Sequence, residues 1–250
     1  MRYYDHLFFD LDNTLWNFSA NSCKAMKLTL EQTDILQQIP SFDDFFLVYE
    51  QINDSLWEKY RLNKVEKSTL VVERFARSLE KFGLSNLDWS ELNAQYLNNM
   101  ALQTELFPET IETLAFLKAK GYQMHIITNG FKEVQHLKLA NSGLSEFFTK
   151  IFISEEVQAN KPHRQIFEHA VKSTNAKKKK SIMIGDSWDT DIAGALNFGM
   201  DQIMFLNNGL HPVPEVVKAI IPATDSPVLE LGHQTKTWFI QNISELQIIL

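Results

Sequence analysis

Four short apolar runs stand out along the chain, HLFF (6–9), YQMHIIT (122–128), SIMIGD (181–186) and QIMFL (202–206), and KIFIS (150–154) is a weaker fifth. Runs of this length with little polar alternation read as strands buried on both faces. Between them, apolar positions recur at helical spacing. Residues 108–120 open with Pro108 and acids in the first turn and stop at Gly121. Residues 132–142 stop at Gly143, 163–173 form a further helix, and 189–198 stop at Gly199. Proline at the first turn and glycine past the last are the expected helix punctuation. Strand–helix alternation of this kind predicts an α/β fold, a parallel sheet with helices on both faces.

The pattern changes over residues 17–103, which hold no convincing strand. FDDFFLVYEQINDSLWEKYRL (42–62), KSTLVVERFARSLEKFG (67–83, with Ser68 as a possible cap and Gly83 as the stop) and DWSELNAQYLNNMAL (88–102) carry helical spacing, and the region reads as roughly four helices. The chain therefore starts one strand of an α/β domain, leaves for a helical insert and returns near Phe107–Pro108. Beyond 206, NNGLHPVPEVV (207–217) is loop-like, TWFIQNI (237–243) reads as a strand and SELQIIL (244–250) as a short terminal helix.

Composition narrows the function. The chain has 250 residues, 44% hydrophobic, with a net charge of -7. Such an acidic chain lacks the basic stripe that non-specific nucleic-acid binding requires. Its one basic run, KKKK at 177–180, reads as a solvated helix end or loop before the next strand. Cys23 is the only cysteine, so no intrachain disulfide forms, and the residue reads as a small packed side chain rather than a reactive thiol. No apolar run approaches the ~18–20 residues of a membrane helix, and no secretory leader is apparent. A cytoplasmic, membrane-free protein is expected.

Polar groups gather where the strands end. Asp10 and Asp12 follow the first, Thr128, Asn129 and Gly130 the second, Lys161–Pro162 comes after the third, and Gly185, Asp186, Ser187, Asp189 and Asp191 follow the fourth. In an open parallel sheet the carboxyl ends of the strands share one edge, where ligands bind. Asp10, Asp12, Asp186 and Asp191 in one cleft would repel one another without a cation, and oxygen ligands suit Mg²⁺ held together with a substrate phosphate. Thr128, the N–H groups of Asn129 and Gly130, and Lys161 complete an anion pocket. An aspartate there would attack phosphorus while a second carboxyl protonates the leaving oxygen.

FFDLDNTL, ITNG, KP and IGDSWDTD, in this order, resemble the four motifs of the haloacid dehalogenase (HAD) superfamily of hydrolases. The resemblance implies a Rossmann-like core over 1–16 and 104–250 and a helical type-1 cap over 17–103. It implies Asp10 as nucleophile, Asp12 as general acid/base, Thr128 and the Asn129 N–H as phosphate ligands, and Lys161 as the neutralising cation. It places Mg²⁺ on Asp10, Asp186 and the Asp12 carbonyl, with Asp191 supporting the metal and Asp189 as the alternative. The second aspartate separates the chain from the dehalogenases, which lack it. The wider pattern, including Trp16 and Asn129-Gly130-Phe131, resembles the house-cleaning pyrimidine 5'-nucleotidases. N-acylneuraminate-9-phosphatases, phosphoglycolate phosphatases and β-phosphoglucomutase-like isomerases share much of it, and a non-catalytic phosphate-binding module is a further alternative. A small phosphorylated substrate is expected, and Phe18, Phe45, Phe46, Tyr49 and Trp57 are candidates for base stacking. The stretch from 220 to 236 is longer than this resemblance implies and is expected as a hairpin or mobile loop.

Overall fold

Each of the five apolar runs becomes a strand. The computed structural model describes residues 3–206, 215, 228–231 and 235–250. Strands β1 (His6–Phe9), β2 (Gln123–Thr128), β3 (Lys150–Ile153), β4 (Ser181–Gly185) and β5 (Asp201–Phe205) are joined by β6 (Val228–Leu231) and β7 (Thr235–Ile240). The sheet order is β3-β2-β1-β4-β5-β7-β6. All neighbours pair in parallel except β6, which runs antiparallel to β7. β6 lies in the segment expected as a hairpin or mobile loop. Residues 220–227 and 232–234 of that segment, and nearly all of the loop expected over 207–217, lie outside the described residues.

Helices among the described residues include α1 (Phe18–Gln32), α2 (Phe42–Arg61), α3 (Lys67–Glu80), α4 (Trp89–Ala101), α5 (Thr110–Ala119), α6 (Lys132–Asn141), α7 (Ser154–Val157), α8 (Arg164–Ser173), α9 (Ala193–Phe198) and α10 (Leu246–Ile249). The chain resolves into two compact units, Met1–Phe18 with Glu105–Leu250, and Ser19–Thr104.

In the sheet unit, Phe8, Ile127, Phe152 and Met183 project to one face and pack with Ile166, Phe167 and Ala170 of α8 and Ala195 and Phe198 of α9. Leu7, Phe9, Met124, Ile126, Ile182 and Ile184, which alternate with them, are buried as well. Both faces are covered, which is why the strands read as unbroken apolar runs. β1 lies between β2 and β4, its Phe9 level with Ile126 on one side and Ile184 on the other. After β3 the chain crosses back over β1, so the strand order reverses between β1 and β4. In open α/β sheets the crevice for a ligand lies at such a reversal.

Three local details differ from the sequence pattern. Pro108 does not open α5. The helix begins at Thr110, after Glu109 in a left-handed conformation (φ 59°). Ser68 does not cap α3. Glu66 holds that position, and the Ser68 hydroxyl turns back to Glu66 Oε2 at 3.5 Å. The helix expected over 189–198 opens with a wide turn over Trp188–Ile192, in which the Ile192 N–H reaches the Ser187 carbonyl five residues back at 3.2 Å. The helix proper starts at Ala193 and stops at Gly199, whose φ of 81° a side chain would resist.

The unit 19–104 is helical throughout its regular structure. α2 is capped by the Ser41 hydroxyl, which accepts from the Asp44 N–H at 3.2 Å, with Asp43 and Asp44 in the positive first turn. Its inner face supplies Phe45 and Tyr49, and Tyr49 meets Phe75 of α3 and Tyr96 of α4. Arg74 is buried with its guanidinium against the Phe75 and Tyr96 rings and bonded to Asn93. Of the five aromatics raised as stacking candidates, Phe45 and Tyr49 are core, while Phe18, Phe46 and Trp57 keep part of their surface accessible. Cys23 is half-buried, and burial pushes its thiol above the usual range, as expected of a packing residue.

Candidate active site

β1 ends at Phe9, and the Asp10 N–H still donates to the Ile184 carbonyl of β4 at 2.8 Å. That bond fixes the aspartate at the strand end beside β4. The chain then tightens, with the Leu15 and Trp16 N–H groups returning to the Leu11 carbonyl. From this turn Thr14 donates to Asp186 Oδ1 at 2.9 Å, a buried bond across 172 residues. Thr14 lies inside the FFDLDNTL motif, but its partner Asp186 is set only by the pairing of β1 with β4.

Asp10, Asp186 and Asp191 form one buried cluster, each offering an oxygen within 4.8 Å of the others. Lys161, itself buried, pairs with Asp10 Oδ1 at 2.5 Å and Asp191 Oδ1 at 2.7 Å. The wide turn after β4 accounts for Asp191. It brings the carboxylate back so that Oδ2 accepts the Ser187 N–H at 3.1 Å. Gly185 leaves room for it, since a Cβ there would stand 2.3 Å from Asp191 Oδ2. Asp189 is exposed and outside the cluster.

The electrostatics are those of a site short of positive charge. Burial drives the Asp10 carboxyl well above the usual carboxylate range. Lys161 opposes that shift, and Asp191, Asp186 and Asp12 add to it. Asp191 is raised for the same leading reason. Burial alone would lower the Lys161 ammonium, but Asp10 and Asp191 outweigh it and the group is held charged. Three buried carboxylates face one lysine, and the donor set is all oxygen. These residues fit a hard divalent cation.

Asp12 points elsewhere. Its Oδ1 takes the Lys138 ammonium at 2.7 Å and its Oδ2 the Gln135 amide at 2.9 Å, both from α6. Thr128, at the end of β2, receives the Gly130 N–H at 3.1 Å and Gln135 Nε2 at 2.7 Å on its hydroxyl. The Gly130 N–H, expected to face an anion, is thus turned onto Thr128. The first turn of α6 also has an acceptor, with the Lys132 N–H donating to Glu155 Oε2 at 2.8 Å. Asn129 uses its side chain to grip the Lys161 backbone, donating to its carbonyl at 3.0 Å and accepting its N–H at 2.8 Å. The structure therefore groups Asp10, Lys161, Asp186 and Asp191, and links Asp12 to Thr128 through Gln135. Gln135 and Lys138 were not assigned from sequence, although their three-residue spacing places them on one face of α6.

A family model described as haloacid dehalogenase-like hydrolase matches residues 4–199. The chain belongs to that family. It is a hydrolase on this membership. Curated relatives agree with it: the chain is 34% identical over 204 residues to pyrimidine 5'-nucleotidase PynA of Streptococcus pneumoniae, covering 81% of this chain and 84% of that one. Pyrimidine 5'-nucleotidase YjjG of Escherichia coli is 29% identical over 249 residues, 99% and 98% of the two chains. The magnesium-bound crystal structure of the HAD-hydrolase YfnB from Bacillus subtilis superposes with a TM-score of 0.82 at 26% identity, covering 100% of this chain and 99% of that one. Among the described residues of this HAD-like hydrolase, no helix is long and apolar enough to cross a membrane.

Proposed function

We propose that this HAD-like hydrolase is a Mg²⁺-dependent phosphomonoesterase that works through an aspartyl-phosphate on Asp10. Its proposed substrates are nucleoside 5'-monophosphates, pyrimidine or modified. The observation that carries the reading is the buried Asp10–Lys161 pair inside the Asp186/Asp191 cluster. The substrate class is supported by the relatives named above as pyrimidine 5'-nucleotidases.

In this reading Asp10, Asp186 and the Asp12 carbonyl hold Mg²⁺, with Asp191 in support. The bound ion supplies the positive charge that three carboxylates and an incoming phosphate require. An Asp10 oxygen donates its electron pair to phosphorus, and the bond to the ester oxygen breaks. Asp12 gives that oxygen a proton, so the alcohol leaves neutral. Asp12 then takes a proton from the water that attacks the aspartyl-phosphate, releasing inorganic phosphate and restoring Asp10. Lys161 holds the Asp10 carboxylate and the phosphoryl oxygens in line, and the Thr128 hydroxyl and Asn129 N–H bind the phosphoryl group. The helical unit over 17–103 is proposed as the type-1 cap.

A panel of nucleotides and sugar phosphates, assayed with Mg²⁺ and with a chelator, tests this directly. Nucleoside monophosphates are expected to lead, with turnover lost on chelation. Preference for a non-nucleotide ester such as phosphoglycolate would retire the nucleotidase assignment, and interconversion of glucose phosphates would replace hydrolysis by a mutase reading. Asp10→Asn is expected to stop turnover, by at least about 10³-fold, while leaving the fold intact by circular dichroism.

A further inference from the structure

Two residues of α6 converge on Asp12, to which the proposed chemistry gives the proton transfers, and one of them also reaches Thr128, which that chemistry makes a phosphate ligand. Gln135 is fully buried, and its Nε2 donates to both Asp12 Oδ2 (2.9 Å) and Thr128 Oγ1 (2.7 Å). A primary amide nitrogen has two hydrogens and can serve both acceptors. The opposite amide orientation would set a carbonyl oxygen against a carboxylate, so the partners themselves dictate which atom faces them. Thr128 Oγ1 also accepts the Gly130 N–H at 3.1 Å. With two donors on its lone pairs, the hydroxyl has only its own hydrogen left to offer. Gly130 is what admits the amide, for a Cβ there would lie 2.3 Å from Gln135 Nε2.

Lys138 meets the other oxygen of Asp12 at 2.7 Å. Its ammonium is buried and lies 4.2 Å from the Trp16 ring centre and 5.4 Å from that of Phe18. Aromatic faces attract a desolvated ammonium and restrict where it can sit. The two acids of the first motif therefore have separate lysines: Lys161 for Asp10, Lys138 for Asp12. Both oxygens of Asp12 are committed to one helix, and one side chain of that helix also dictates the direction of the Thr128 hydrogen.

We propose that Gln135 and Lys138 are positioning residues for the phosphoryl-transfer step. Gln135 makes Thr128 a hydrogen-bond donor toward a phosphate oxygen. Gln135 and Lys138 together set the direction from which Asp12 meets the leaving oxygen. Trp16 and Phe18 fix Lys138. The inference rests on the phosphomonoesterase reading above.

The test compares the whole wild-type protein with Lys138→Met, Lys138→Arg and Gln135→Met in Mg²⁺. kcat/KM is measured for uridine 5'-monophosphate and for p-nitrophenyl phosphate, since it reports the steps up to departure of the leaving group. p-Nitrophenolate leaves without a proton, whereas the nucleoside alkoxide does not. Lys138→Met is expected to lose at least roughly tenfold more on the nucleotide than on the nitrophenyl ester, a modest share of what a placed general acid contributes. Lys138→Arg is expected to recover most of that difference. Gln135→Met is expected to show the same split and also to weaken inorganic phosphate binding, read by calorimetry, by roughly tenfold. Thermal melts establish that each variant is folded. Equal losses on the two esters, or none, in folded variants would overturn the positioning role while leaving the phosphomonoesterase reading intact. A wild type that turns over neither ester would overturn the phosphomonoesterase reading, and with it the Asp12 half of this proposal. The phosphate titration then still decides the Thr128 half, and unchanged binding in Gln135→Met overturns it.

Discussion

At the residue scale, two positions show how a single atom's surroundings decide behaviour. Gly185 is the only residue type that fits where it lies, because a Cβ would overlap Asp191 Oδ2. Gly185→Ala is expected to displace Asp191 and lower kcat/KM by at least about tenfold, with secondary structure retained by circular dichroism. An alanine variant of wild-type activity would show that Asp191 has room to move. His125 is buried on β2, with its Nε2 3.1 Å from His6 Nδ1 and the two rings stacked 5.4 Å apart. Burial first, then His6 and Lys150, lower His125 to about 4 from its ordinary 6.5. The folded protein thus refuses a proton that the unfolded chain takes up. Stability from this residue is complete above pH 6.5, falls as the pH drops below it, and is lost by about pH 4. Between pH 7 and 4.5 the wild type is expected to lose about 2 kcal/mol more than His125→Phe in urea melts. Parallel losses would show that His125 does not carry the effect.

At the element scale, the site depends on how strand ends are tied to loops. Asn129, at the end of β2, exchanges two hydrogen bonds with the Lys161 backbone in the loop between α7 and α8. Such bonds contribute about 0.5–1.5 kcal/mol each net. Asn129→Ala is therefore expected to cost about 1–3 kcal/mol in denaturant melts. It should also lower activity beyond what stability explains, because the Lys161 ammonium is aimed from that loop. Asn129→Ala with unchanged kcat/KM would show that the loop holds its course without the clamp. The wide turn over Trp188–Ile192 works in the same sense. A regular helix from residue 189 would carry Asp191 at a different angle, and the extra residue in the turn brings it under Gly185.

At the scale of the whole molecule, a cation would bind the folded chain and not the unfolded one, because residues 10, 186 and 191 meet only when β1 and β4 pair. Mg²⁺ at about 100 times its dissociation constant is expected to add about 2.7 kcal/mol to stability. The melting temperature should rise accordingly, and Asp186→Asn should remove the rise. A wild type whose melting is indifferent to Mg²⁺ would count against the metal site independently of any activity assay.

Much of this was legible in the chain. The five strands, the glycines that stop the sheet-unit helices and the helical insert follow from apolar periodicity, which depends on neighbours a few residues away. The convergence of Asp10, Thr128, Lys161 and Asp186 on one edge follows from parallel topology, which strand–helix alternation already implies. What the tertiary structure alone decided is which partner each group holds. Asp12 turns to Lys138 and Gln135, Asn129 grips a backbone 32 residues away and Thr14 reaches across 172. A side-chain hydrogen bond needs donor and acceptor within about 3 Å in a set direction. Local spacing cannot encode that distance between strands, and only the packed sheet brings it about.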